Sequence, residues 1–173
     1  MARDSAVTRV LLAMCDRAYD RKSWHGTNLR GALRSLSPKE AAWRPGKGRH
    51  NAWEIAVHCA YWKYVVIRAL TGGRRGGFAR KGSNWFVLPS DRSETAWKAD
   101  LALLDATHRA LRDAILALDP ANLERPLPRK KTSRGALITG AAAHDLYHAG
   151  QIQLIKRMLP RRARSARGAG RSR

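Results

Sequence analysis

Ala141-Ala142-Ala143-His144-Asp145-Leu146-Tyr147-His148-Ala149-Gly150-Gln151-Ile152 decides how this chain is read. His144 and His148 stand four residues apart, so in a helix both project from one face. That face should be apolar. Leu137, Ala141, His144, His148, Gln151, Ile155 and Met158 recur at three- and four-residue spacing, the pattern of an inward helical seam. Imidazoles placed there are costly unless something bonds them. Gly140 and Gly150 flank the pair, and each costs a helix about 1 kcal/mol relative to alanine. That cost is expected where another helix or a ligand comes close, with Ala141 to Ala143 leaving room for a pocket.

Two further segments carry the same periodicity. Ile55, His58, Trp62, Val65 and Ala69 form one seam; Trp97, Leu101, Leu104, His108, Leu111, Ile115 and Leu118 form another. Ser5 to Tyr19 supplies a shorter amphipathic stretch. Three long helices and an N-terminal one predict an all-α fold, an antiparallel four-helix bundle. The breaks agree with it. Asn28 to Leu36 reads as a short helix, and Ser37-Pro38-Lys39-Glu40 as a capped turn. Asn51 to Glu54 has the form of a capping box, opening a helix that stops at Thr71-Gly72-Gly73. Residues 72–92 read as a basic, glycine-rich, mobile loop around Arg74, Arg75, Arg80 and Lys81. A second basic loop spans Arg125 to Arg134, and Pro160 closes the last helix.

At 173 residues the chain is long enough for one domain with its own core, placed at 1–159. Residues 160–173 carry six arginines and no acid, and read as a disordered, solubilising tail. The net charge of +21 exceeds what that tail supplies, so the folded part is basic too. Such a field attracts anionic substrates and phosphate-rich polymers without naming either. No stretch reaches the ~18 apolar residues of a membrane span, and Val10 to Cys15 is too short for a signal core. A cytoplasmic location is the expectation. Cys15 and Cys59 are too few for a disulfide framework and read as small buried hydrophobes.

His58, His144 and His148 are therefore three histidines on two inward seams, and a divalent metal explains them most economically. The other candidates keep two readings each. His25 lines the pocket or supports a ligand, or else makes a structural hydrogen bond. His108 is a core histidine with a partner, or a ligand. Gln151 orients water or substrate, or contacts a helix. Glu54 caps its helix or acts as an acid near His58. Asp145 lies about 100° around the helix from His144 and is not counted as a ligand. Tyr147, Trp53 and Trp62 are expected to pack.

Trp24-His25-Gly26, Trp43-Arg44-Pro45, His50-Asn51-Ala52-Trp53-Glu54-Ile55-Ala56-Val57-His58, Tyr61-Trp62 and His144 through Ile152 together resemble the DinB/YfiT-like superfamily over roughly residues 5 to 159. The resemblance implies four-helix metalloenzymes that hold zinc, nickel, or a similar divalent ion such as iron or manganese, through His58, His144 and His148. It implies an activity such as S-transfer with an anionic low-molecular-weight thiol, thiol-dependent isomerisation, or metal-dependent hydrolysis of a small molecule. It also implies a homodimer. The leading expectation is thus a three-histidine site that activates a thiol or water. Two rivals stand beside it. One is a basic helical protein that associates nonspecifically with nucleic acid. The other is a homodimer whose metal is purely structural, with His25 or His108 as fourth ligand.

Overall fold

The computed structural model describes residues 5–73, 77–128 and 131–160. The order is α1 (Ala6–Tyr19), α2 (Leu29–Leu33), α3 (Pro38–Ala41), α4 (Ala52–Thr71), α5 (Glu94–Ala117), a 3-10 turn (Pro120–Asn122) and α6 (Arg134–Met158). No strand occurs among the described residues. Helix starts follow the polar residues that can satisfy orphan N–H groups. Ser5 accepts from the Thr8 amide, Asn28 from Gly31, Ser93 from Ala96 and Ser133 from Ala136. Each such cap is worth about 1 kcal/mol. Ser37 with Glu40, and Asn51 with Glu54, complete reciprocal capping boxes. Gly72 ends α4 at φ 72°, a left-handed conformation natural to glycine.

The long helices α1, α4, α5 and α6 form a four-helix bundle. Asp16 of α1 meets His108 of α5, and Tyr19 one turn later meets Asp105, so these two helices run antiparallel. Trp53 shares an apolar cluster with Ile152, and Val66 shares another with Ile138, so α4 and α6 are antiparallel as well. The same clusters put Trp53 with Trp97 and Val66 with Leu111. α4 and α5 therefore lie side by side in one direction, which requires the long crossover between them.

Two apolar clusters fill the interior. The first gathers Leu29, Leu33, Trp53, Trp97, Leu104 and Ile152; the second gathers Leu11, Cys15, Leu111, Ile115 and Ile138. Between them, each long helix contributes a polar group at the same level: Asp16, Lys63, His108 and Asp145. Lys63 and Asp145 form an ion pair in which each side chain is only 2% exposed. His108 takes Asp16 at 3.1 Å through Nε2 and stacks on Tyr19.

Several seam assignments shift. On α4 the buried residues past Ala60 are Lys63 and Val66, while Trp62 is exposed and Val65 and Ala69 are half-buried. Ile55 and His58 are buried as the seam predicts; beyond them the buried stripe moves one residue on, to Lys63 and Val66, because an inward lysine breaks the apolar pattern. On α6, Asp145 and Ile138 are buried, His144 sits half-buried at the stripe's edge, and Met158 is exposed. Gly140 and Gly150 face solvent, and a Cβ at either would meet nothing within 4 Å. The close approach expected there is absent. The 77–92 part of the crossover is anchored: Phe86 is buried, Phe78, Trp85 and Leu88 pack on the first cluster, and Arg80 is paired with Asp100. Arg74 and Arg75, like the tail from 161 on, lie outside the described residues.

Candidate metal centre

His58 comes from the middle of α4, where the helix is buried on every side from Ala52 to Ala60. His144 and His148 come from successive turns of the antiparallel α6. Their imidazoles converge. His58 Nε2 lies 3.2 Å from His144 Nε2, and His148 Nε2 lies 3.1 Å from the same atom.

The outer nitrogens of two of these rings are already committed. His58 Nδ1 donates to the Asn84 carbonyl at 2.9 Å, and His148 Nδ1 to Gln151 Oε1 at 2.7 Å. Each ring therefore carries its proton on Nδ1 and turns a bare Nε2 lone pair towards the cluster. His144 Nε2 can donate to only one of them, so one close nitrogen pair is left facing lone pair to lone pair. A cation relieves that conflict. Tetrahedral coordination with Zn–N bonds of 2.0–2.1 Å separates ligand nitrogens by about 3.3 Å, close to the spacing found. The three residues fit a divalent ion in donor type, protonation and distance.

Burial keeps the rings neutral. It lowers the His58 pKa to about 4, against the Asn84 hydrogen bond, which raises it. Burial, then the neighbouring His148 and His58, bring His144 to about 3. His148 is also lowered, chiefly by burial and partly offset by Gln151. Neutral imidazole is the form that binds metal.

Asn84 and Trp85 were not expected from the sequence. Asn84 has φ 62°, a left-handed conformation that asparagine tolerates better than most residues. This turn aims its carbonyl at His58 while its side-chain oxygen accepts from Trp62 Nε1 at 3.0 Å. Trp85 then stacks on His58 with centroids 3.8 Å apart and only 8° between planes. His50 stacks on the other face of Trp85 at 3.5 Å and is itself held by Glu54 at 3.1 Å. The only hint in the sequence was an asparagine two residues after Gly82.

The remaining candidates separate. Gln151 holds His148. Glu54 caps α4 and also takes Arg44 and His50. His25 is exposed and its ring is 3.3 Å from Ser23 Oγ, apart from the three imidazoles. His108 belongs to the polar layer with Asp16, and its Nδ1 is buried without a partner. Trp53 packs in the core, fully buried, and donates to Asp100 at 2.7 Å. Trp62 and Tyr147 do not. They are 39% and 66% exposed, and flank the cluster from outside, Trp62 beside His144 and Tyr147 beside His148. Asp145 points to the core and Lys63, although it also lies with Cys59 and His144 in a second group of closely spaced ligand atoms. Cys15 and Cys59 are both buried and free.

Among the described residues no helix is long and apolar enough to cross a membrane. No curated protein and no solved structure matches the chain. Against protein families, residues 22–152 match the one described as the DinB superfamily, a span well over half of the chain that includes all three converging histidines. The chain belongs to the DinB superfamily, which includes metal-binding enzymes.

Proposed function

We propose that this protein is a metal-dependent enzyme in which His58, His144 and His148 hold one divalent ion through Nε2. The observation that carries the reading is the pair of Nε2 contacts at 3.1 and 3.2 Å, made by rings whose Nδ1 atoms are spent elsewhere. Zinc or nickel suits three imidazoles best, with iron or manganese as alternatives. Bound there, the ion supplies Lewis acidity and open coordination positions where a thiol or water is activated. S-transfer from a small anionic thiol and hydrolysis are the two reactions in view.

The chain's own residues prepare that chemistry. Asn84 and Gln151 fix the tautomers of His58 and His148, so both offer a lone pair without first losing a proton. Trp85 covers one face of His58 and keeps water from that side. The third donor, His144, is half-buried at the edge of the stripe, which leaves the approach past Trp62 and Tyr147 open. Three ligands with an accessible side favour catalysis over a closed structural site, which usually takes four protein ligands. Neither His25 nor His108 is placed to be that fourth.

Protein prepared without chelator or affinity metal, then analysed for its elements, should carry about one equivalent of a transition metal per chain. H144A/H148A should carry none. Stoichiometric metal in that double variant would defeat the assignment.

A further inference from the structure

Beside the imidazole cluster, α4, the 77–83 segment and Leu127, Pro128 and Arg134 line a solvent-open cavity of about 1010 Å³. That volume suits a small molecule rather than a polymer track. Trp62, Tyr64 and Phe78 form an aromatic wall, with the Tyr64 and Phe78 rings 5.5 Å apart. The Tyr64 hydroxyl is fixed by the Gly77 amide at 2.9 Å.

Arg68, Lys81 and Arg134 reach the same cavity, and none of its described lining residues is acidic. With 34 Lys and Arg against 13 Asp and Glu, unmatched cations are common in this chain, so their number means little. Their convergence is the informative part. Of the half-buried and buried cations elsewhere, Arg30 is matched by Asp105, Arg112 by Asp16 and Lys63 by Asp145, while Lys156 donates to the Ala32 and Arg34 carbonyls. Arg80, which also lines the cavity, is matched by Asp100. Arg68 instead lies over the Tyr64 ring at 5.5 Å, and Arg134 donates to the Arg125 and Pro126 carbonyls. Neither they nor Lys81 meet a carboxylate among the described residues. Guanidinium and ammonium groups around an aromatic wall are complementary to a flat ring bearing an anionic group.

The cavity and the imidazole cluster share parts. Trp62 lines the cavity, and its ring centroid is 6.3 Å from His58 and 6.2 Å from His144. Ser83 lines it too, and the next residue, Asn84, holds both His58 and Trp62.

We propose that this cavity binds small organic anions with a flat unsaturated body, and that it is the substrate site of the three-histidine centre. The second half rests on the metal reading; the first does not. The test therefore has two parts. Equilibrium binding to the metal-free full chain compares 1-naphthoate with its neutral amide, 1-naphthamide. Naphthoate should bind at one per chain and at least about tenfold more tightly than the amide, the worth of a charge-assisted contact. R68Q and K81Q should each weaken naphthoate about tenfold, whereas R17Q, an exposed change on α1, should not. Equal affinity for acid and amide, or equal effects of R17Q and R68Q, would overturn the cavity assignment. In the second part the protein is loaded with cobalt(II) and its visible spectrum recorded as naphthoate is added. A spectral change that R68Q/K81Q suppresses supports the link to the centre. A saturated cavity with an unchanged spectrum would overturn that link. Failure to take up cobalt would instead defeat the metal reading and leave the binding result standing.

Discussion

Asn84 makes two bonds to the site from one residue, through backbone and side chain. Its left-handed φ is what makes both possible, so substitutions divide into two kinds. N84G keeps the turn and the carbonyl but loses the bond to Trp62; N84V strains the turn and moves the carbonyl. Outer partners of ligating histidines commonly contribute 10- to 100-fold to metal affinity. N84V should fall in that range in a chelator competition, with N84G near native. Q151L, which removes the acceptor from His148 Nδ1, should resemble N84V. If both bind metal like the native chain, the Nδ1 partners do not set ligand orientation.

At the scale of elements, α6 carries two glycines with no evident structural demand. Both are helical, neither has positive φ, and open space surrounds each. G140A and G150A should therefore each raise stability by about 0.5–1 kcal/mol, read as a higher urea midpoint at unchanged slope. A loss of stability would show an approach that the fold does not contain. The polar layer predicts the opposite sign. K63M leaves the Asp145 carboxylate buried without its cation and should cost about 3–5 kcal/mol, while K63M/D145L should recover much of that loss. A double variant no better than the single would mean that the pair is not what the two residues contribute.

These elements also show how far the sequence could be read. Helix starts were legible because Ser5, Asn28, Ser37, Asn51 and Ser133 cap by local chemistry, and local chemistry is written in neighbouring residues. The α5 seam was legible because its positions are apolar, with His108 alone interrupting. On α4 past His58, and at alternate positions of α6, the buried stripe lies one residue on from the apolar pattern, while Ile55, His58, Ala141, His148 and Ile155 are buried as that pattern predicts. Lys63 and Asp145 are buried only by virtue of each other, across two helices. His58, His144 and His148 stood out as polar residues in apolar patterns. Asn84 and Trp85 did not, since a loop's contribution to a site depends on where the crossover lands.

Over the whole molecule, the buried histidines link the site to stability. Burial holds His58 and His108 at about 4 and His144 at about 3, against 6.5 in an unfolded chain. For a base whose folded pKa is lowered, the unfolded chain takes up its proton first as pH falls. Stability is therefore full above about pH 7 and declines as pH drops from 6.5 towards 4, because the unfolded state binds more protons throughout that window. Asp145, whose carboxyl burial raises, works in the other direction, but it is one group against four histidines, since His148 is lowered as well. Urea unfolding of the metal-free chain at pH 7.5, 6, 5 and 4.5 should give a midpoint that falls steadily below pH 6.5. A divalent ion at saturating concentration should raise the midpoint at pH 7.5, since it binds only the folded arrangement. That increment should shrink on acidification, as protons compete for the imidazole lone pairs. H108Q separates the two effects: it removes one of the four titrating histidines without touching the cluster, so the acid slope should flatten while the metal increment persists. A flat midpoint from pH 7.5 to 4.5 in the metal-free chain would mean that these imidazoles are not held neutral by burial, and that the converging Nε2 atoms lack the readiness for metal argued from them.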